Sequence, residues 1–326
     1  MKVCIFGAGA IGGHIGARIA AAKSADLSVI ARGSQLEAIR KNGLTLRSGD
    51  KEFNGKPAAA TDDPGSLANQ DLVIVTLKGH ALPGIAATVE KMLSPQGTVL
   101  FPLNGVPWWW NHGRPGGKGA LPLLDPDGEL WTRLRERTLG CVIYSPNEVV
   151  SPGVVLHIGG NRWVIGEPSD QKTPRAQAVV DLLSKSGLPS EVSADLRGEI
   201  FRKLTGNAAG NTISALTRRG HYDMASDPHL RMLSMGIMRE TLEVAAALGW
   251  DLRKELDPEK IASRASPGPA STPSMLQDVQ LGRPLEVEAH IGQTQAFARD
   301  VEVPTPVIDI ILPLLRALDT SLRAAR

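Results

Sequence analysis

Lys2-Val3-Cys4-Ile5-Phe6-Gly7-Ala8-Gly9-Ala10-Ile11-Gly12 opens the chain as a short apolar strand running straight into G-x-G-x-x-G. Gly7 permits a tight turn and Gly9 lets the backbone approach a pyrophosphate. Gly12 lets the following helix pack closely on the strand, leaving the first helical N–H groups, from Ala10 and Ile11 onward, aimed at an anion. The motif alone is common, but here it has its required neighbours. An Ile11/Ile15/Ile19 helical stripe follows it, and then a second strand, Leu27-Ser28-Val29-Ile30-Ala31.

Working outward, the residue after that second strand separates two cofactors. An acid there accepts from the ribose hydroxyls of NAD, whereas a guanidinium suits the extra phosphate of NADP. The residue is Arg32, which points to NADPH/NADP+ as cofactor, against the plainer reading of a solvated arginine at a strand end.

The rest of the first half repeats short apolar runs: Asp71 to Lys78, then a crossover helix over Ile85 to Leu93, then Thr98 to Leu103. This alternation predicts an α/β domain with a parallel sheet covered on both faces. Leu139 to Tyr144, Val154 to Ile158 and Arg162 to Ile165 read as a more antiparallel extension of the same sheet. From about Asp195 helical periodicity replaces the strands, most clearly from Leu230 to Leu248 with Gly249 as its stop. A Pro/Ser/Gly-rich connector spans Ser266 to Pro273. Further helices are expected near Ser274 to Leu281, Leu285 to Arg299 and Val307 to Leu322. The division predicted is 1–193, dinucleotide-binding, and 194–326, all-α.

Composition narrows the function classes. Lys and Arg number 36 against 34 Asp and Glu, with no basic stripe, so no nucleic-acid partner is expected. No apolar stretch approaches a membrane span, and none of the seven histidines has metal-like spacing. The two cysteines, Cys4 and Cys141, lie in apolar runs and fit reduced core thiols in a cytoplasmic protein.

Lys203, Asn207 and Asn211 recur at four-residue spacing and share one stripe of a helix starting near Asp195. Gly206 and Gly210 lie beside that stripe, at a cost of roughly 1 kcal/mol each relative to Ala, as if another group must come close. Taken alone, the stripe competes with an ordinary solvated helix face.

The stretch Phe201-Arg202-Lys203-Leu204-Thr205-Gly206-Asn207-Ala208-Ala209-Gly210-Asn211-Thr212-Ile213-Ser214-Ala215-Leu216-Thr217 resembles the signature helix of the ketopantoate reductases (2-dehydropantoate 2-reductases). Thr76-Leu77-Lys78, Asn104-Gly105, and Ser274-Met275-Leu276-Gln277-Asp278 with Glu286 and Gly292 are similar to the same family. The resemblance implies a Rossmann-type N-terminal domain followed by a helical C-terminal domain like that of 6-phosphogluconate dehydrogenase. It implies NADPH-dependent reduction of a small 2-oxo acid, 2-dehydropantoate, to its 2-hydroxy acid, a step of pantothenate biosynthesis.

By the same resemblance, Lys203 is the general acid that protonates the ketone oxygen. Glu286 holds the substrate hydroxyl and the lysine, Asn207 and Asn211 orient the substrate or the lysine, and Ser274 takes the substrate carboxylate. Asn104 sits near nicotinamide and substrate, and Lys78 adds positive charge beside the cofactor. An ammonium with a free pKa near about 10.4 needs its environment to lower it for proton transfer at neutral pH. Glu288 competes with Glu286, since two residues apart on a helix point about 200° from each other. Ser274 also reads as an N-cap after Pro273, and Asn104-Gly105 as a plain turn.

Two stretches depart from the family pattern. Trp108-Trp109-Trp110 heads a Gly/Pro-rich insertion to Gly128, readable as an apolar wall or lid beside the substrate or as packing of a longer loop. Arg218-Arg219-Gly220-His221 stands where many relatives carry a substrate-contacting asparagine. Both leave room for a bulkier 2-oxo acid. Rival readings are a dehydrogenase of hydroxyisobutyrate or opine type, and a non-catalytic NADPH-binding sensor. A helical second half of this kind suits a homodimer.

Overall fold

The computed structural model describes residues 1–264 and 272–325, so most of the predicted connector, 266–271, lies outside the described residues. The chain forms two compact units: 1–103 with 107–196, and 104–106 with 197–326. The short excursion at 104–106 is what sequence periodicity does not reveal.

The first unit starts with β1 (Lys2–Phe6), α1 (Ala10–Ala22), β2 (Asp26–Ile30) and α2 (Gly33–Asn42). β3 (Leu44–Ser48), β4 (Lys51–Gly55), β5 (Ala59–Thr61), β6 (Gln70–Val75), α3 (Ala86–Met92) and β7 (Leu93–Pro102) follow. The unit is completed by α4 (Glu129–Leu134), β8 (Thr138–Tyr144), β9 (Asn147–Ser151), β10 (Val154–His157), β11 (Arg162–Gly166), α5 (Pro174–Lys185) and β12 (Ser190–Val192). Eight strands build the main sheet in the order β12-β11-β8-β7-β6-β1-β2-β5. β1 pairs in parallel with both β2 and β6. Val3, Ile5, Val73, Ile74, Val99 and Leu100 are fully buried, which explains strands that read as continuous apolar runs.

The expected antiparallel extension is corrected in two places. β8 joins β7 in parallel, and the direction reverses only at β11, which runs antiparallel to β8 and is followed in parallel by β12. β10 leaves the sheet altogether for a second one, ordered β4-β3-β10-β9. That sheet packs on α1, where a Cβ at Gly13 would meet Val155 and one at Gly16 would meet Leu44, each at 2.6 Å. Helix glycines that look unrelated to strands are therefore what lets the second sheet sit down.

Trp108, Trp109 and Trp110 are 2 %, 1 % and 0 % exposed. Trp108 meets Phe101 edge-on at 5.4 Å, and the Trp109 ring lies over Gly140, which has no room for a side chain beneath it. The insertion is packed into the first unit's own core; three rings this buried are no exposed lid.

The second unit is helical throughout its described residues: α6 (Leu196–Thr217), α7 (His221–Ser226), α8 (Pro228–Ala247), α9 (Pro258–Ser263), α10 (Ser274–Gln280), a π-helical turn (Glu288–Gly292), α11 (Gln293–Asp300) and α12 (Pro306–Ala324). α8 buries Ile237, Met238, Thr241, Val244 and Ala245, the predicted stripe, and the chain turns at Gly249 with φ +108°. The buried Glu240 of α8 accepts from the Val307 and Ile308 amides at 2.7 and 2.8 Å, satisfying the N-terminus of α12. Burial raises the Glu240 pKa while these two amide bonds oppose the rise. No described helix is long and apolar enough to cross a membrane.

Candidate functional site

Three predicted cofactor segments come together in the first unit because β2, β1 and β6 are neighbours and all point the same way. Ligands gather at this carboxyl end of a parallel sheet. Gly7 adopts φ +103°, and a Cβ on it would lie 2.6 Å from Leu77 Cδ2. Its amide donates to the Ile30 carbonyl at 3.0 Å. Gly12 faces the Gly7 carbonyl, Thr76 and Ile5 so closely that a side chain there has no place. Thr76 Oγ1 donates to the Gly7 carbonyl, tying the end of β6 to the turn.

A Cβ on Gly9 would meet nothing within 4 Å. Gly9 is also the residue from which α1 starts, and no side chain caps the first-turn amides of Ala10 and its successors. Space above Gly9 and uncapped amides beside it are the two things a pyrophosphate group requires. Ile11 is half-buried at the helix start. Arg32, exposed where α2 begins, has no side-chain partner among the described residues. Lys78 follows β6 by three residues and is half-buried.

The second cluster lies within the second unit. α6 carries Lys203, Asn207 and Asn211 as the spacing predicts. Lys203 Nζ donates to Asn104 Oδ1 at 2.5 Å, joining residues 99 apart. Asn211 is buried, and its Oδ1 accepts from Ser274 Oγ and from the Met275 amide, both at 3.3 Å. The Asn211 carbonyl thereby caps α10 from a distance. Ser274 itself is the first residue of α10 and not its N-cap; that position is Pro273, so the capping alternative is corrected. Asn207 is half-buried, and its amide has no partner among the described residues.

Glu286 is half-buried and precedes the helix; its carbonyl accepts the His290 amide at 3.2 Å. The expected helix over Leu285 to Arg299 thus starts late and with a π turn, so a rotation angle between Glu286 and Glu288 does not separate them. Glu288 is held by Arg316 through two bonds, at 2.8 and 2.7 Å.

The two glycines of α6 differ. A Cβ at Gly210 would lie 2.6 Å from His221 Cε1, so this glycine seats the His221 ring. At Gly206 a Cβ would make only ordinary contact, 3.7 Å from Ile261, and nothing approaches closely enough to require glycine. Burial holds the His221 pKa below its ordinary value. Among the described residues no group of His, Cys, Asp and Glu could hold a metal ion.

Sequence reasoning missed one part of this cluster. Gly105 adopts φ +78° and lies on the backbone of Ala289, and the Val106 amide donates to the Ala289 carbonyl at 2.7 Å. The only signal in the sequence is the glycine following Asn104.

Known proteins resemble the chain over its whole length. A family model described as "Ketopantoate reductase PanE/ApbA" matches residues 3–170, and its "C terminal" counterpart matches 195–319. The 2-dehydropantoate 2-reductase of Mesorhizobium japonicum is 39% identical over 321 residues, 98% of each chain. A solved structure from Ralstonia solanacearum MolK2 that carries the ketopantoate reductase name has a TM-score of 0.88 at 32% identity, covering 98% of both chains. A PanE/ApbA family ketopantoate reductase from Ralstonia eutropha JMP134 has a TM-score of 0.79 at 25% identity, over 99% of this chain and 100% of that one. D-mandelate dehydrogenase, solved with NADH and anilino(oxo)acetate, shares the fold at 21% identity and a TM-score of 0.80.

Proposed function

The chain belongs to the ketopantoate reductase family and is an oxidoreductase acting on CH–OH groups, and from that premise we propose that it reduces 2-dehydropantoate to pantoate with NADPH. The observation that carries the reading is the Lys203–Asn104 bond, which brings together residues from two separate sequence motifs.

The dinucleotide is held by Gly7, Gly9, Ala10, Ile11 and Gly12 through backbone approach and uncapped amides. Arg32 supplies the guanidinium for an adenosine 2′-phosphate, and Lys78 adds positive charge nearby. When bound, the cofactor supplies the hydride that reduces the carbonyl carbon.

Lys203 gives its proton to the carbonyl oxygen as negative charge develops there, leaving a hydroxyl on the product and a neutral amine to be reprotonated from solvent. Asn104, a neutral acceptor, orients the ammonium without adding the charge that would hold its proton more tightly. Asn207 offers an unpartnered amide to the substrate, Ser274 a hydroxyl to its carboxylate, and Glu286 a carboxylate to its hydroxyl. Asn211 positions Ser274. Glu288, already neutralised by Arg316, has no part in this chemistry.

A panel of 2-oxo acids of increasing bulk, assayed by loss of reduced-nicotinamide absorbance with NADPH and with NADH, tests the reading. It expects 2-dehydropantoate to be the best substrate and NADPH the better donor. A markedly better bulky 2-oxo acid would move the substrate assignment, and binding of NADPH without turnover of any acid would favour the sensor.

A further inference from the structure

In an α-helix the Gln293 amide would bond the carbonyl four residues back, that of Ala289. Here it bonds Glu288 instead, closing a π turn over Glu288–Gly292. The Ala289 carbonyl is thereby released from the helix ladder, and a buried carbonyl must find another donor. It finds the Val106 amide at 2.7 Å. Gly105 lies flat on the same peptide, its Cβ position 2.7 Å from the Ala289 carbonyl carbon, with φ +78°. The next residue back is Asn104, whose Oδ1 accepts from Lys203.

On the solvent side the turn is clamped. The Glu288 carboxylate folds back over Gly292, where a side chain would displace it, to reach Arg316 at 2.7 Å. π turns are rare and frequent at functional sites.

We propose that the π turn is a positioning device for Lys203: by freeing the Ala289 carbonyl it binds Val106, seats Gly105, and so holds the Asn104 amide on the lysine. Gly105 and Val106 are positioning residues, and the Glu288–Arg316 pair keeps the turn from relaxing to α spacing, which would return the Ala289 carbonyl to Gln293. This rests on Lys203 being the proton donor.

The test compares wild type with Gly105→Ala, Gly105→Asn and Arg316→Met, reading kcat, KM, NADPH affinity and Tm, together with the titration of Lys203 followed by NMR on lysine-labelled protein. Gly105→Ala is expected to lower kcat roughly tenfold to a hundredfold with KM and NADPH affinity within about twofold, because misplacement of a reacting group acts on the chemical step. Asparagine tolerates left-handed φ but keeps a Cβ, so Gly105→Asn should fail equally; recovery by Asn would show that φ alone matters and overturn the proposal.

Arg316→Met, a surface change that leaves the core filled, should cost kcat roughly threefold with Tm nearly unchanged, since exposed ion pairs add little stability. It therefore decides the matter if the glycine variants do not fold, and wild-type kcat in Arg316→Met would overturn the role of the clamp. The NMR arm separates this proposal from the functional one. If wild type reduces no 2-oxo acid the functional reading fails, while a Lys203 titration that moves in Gly105→Ala still supports the positioning role and an unmoved one refutes it.

Discussion

Lys203 and Asn104 meet through a 2.5 Å hydrogen bond inside the helical unit, although Asn104 follows a strand of the other unit by only two residues. The bond fixes an ammonium against a neutral amide, which is the arrangement a proton donor needs. Asn104→Ala should lower kcat by roughly tenfold to a hundredfold while NADPH binding persists, as expected for a lost orienting contact. Steady-state kinetics with fluorescence titration of NADPH checks both halves.

Among the described residues the Arg32 side chain has no partner to lose, so replacing it reports on the cofactor. Arg32→Gln should raise the KM for NADPH about tenfold to a hundredfold, the worth of a charge-assisted phosphate contact, and leave that for NADH nearly unchanged. Equal effects on both cofactors would remove the guanidinium from 2′-phosphate recognition.

His14 of α1 is 1 % exposed, bonded through Nδ1 to Asn147 Oδ1 at 2.7 Å, with the His157 ring 4.9 Å away. Burial, partly opposed by the Asn147 bond, lowers its pKa to about 4. The unfolded chain therefore binds a proton at a higher pH than the native one does, near about 6.5. Stability from this group is complete above that pH, falls as pH drops from about 6.5 towards 4, and levels off below; the loss is about 3 kcal/mol. Urea unfolding of wild type and His14→Gln at pH 7 and pH 5 measures it, and the variant should show the smaller difference between the two pH values.

Glu240→Ala leaves the Val307 and Ile308 amides of α12 without their acceptors. A loss of roughly 2–4 kcal/mol is expected, with Glu240→Gln recovering about half because one carbonyl oxygen remains. Thermal unfolding at neutral pH distinguishes them.

Trp109→Ala should cost about 3–5 kcal/mol through the cavity it leaves over Gly140, and leave KM for the 2-oxo acid within about twofold. A large KM change at preserved stability would return the tryptophans to the substrate wall.

The parallel strands, the glycine turn and the Lys203 helix were legible because each follows from local pattern: apolar runs, a fixed glycine spacing, a four-residue stripe. The second sheet was not, because β3 and β4 are short and half exposed and β10 looks like its neighbours until Val155 is found on Gly13. The tryptophan run was legible as apolar but not as core, since its packing partners include Gly140, which lies on a strand well beyond the insertion. The candidate-site residues could be named from motif, but their pairings could not. The π turn, the capping of α10 by Asn211 and the Glu288–Arg316 pair involve contacts between residues distant in the chain that no periodicity encodes.

The most direct measurement is the initial rate of NADPH oxidation with 2-dehydropantoate by wild type and by Lys203→Ala, at saturating cofactor. The account predicts a fall in kcat of roughly a hundredfold to ten-thousandfold with cofactor affinity intact, the usual loss on removing a general acid. Equal turnover by the alanine variant would contradict it.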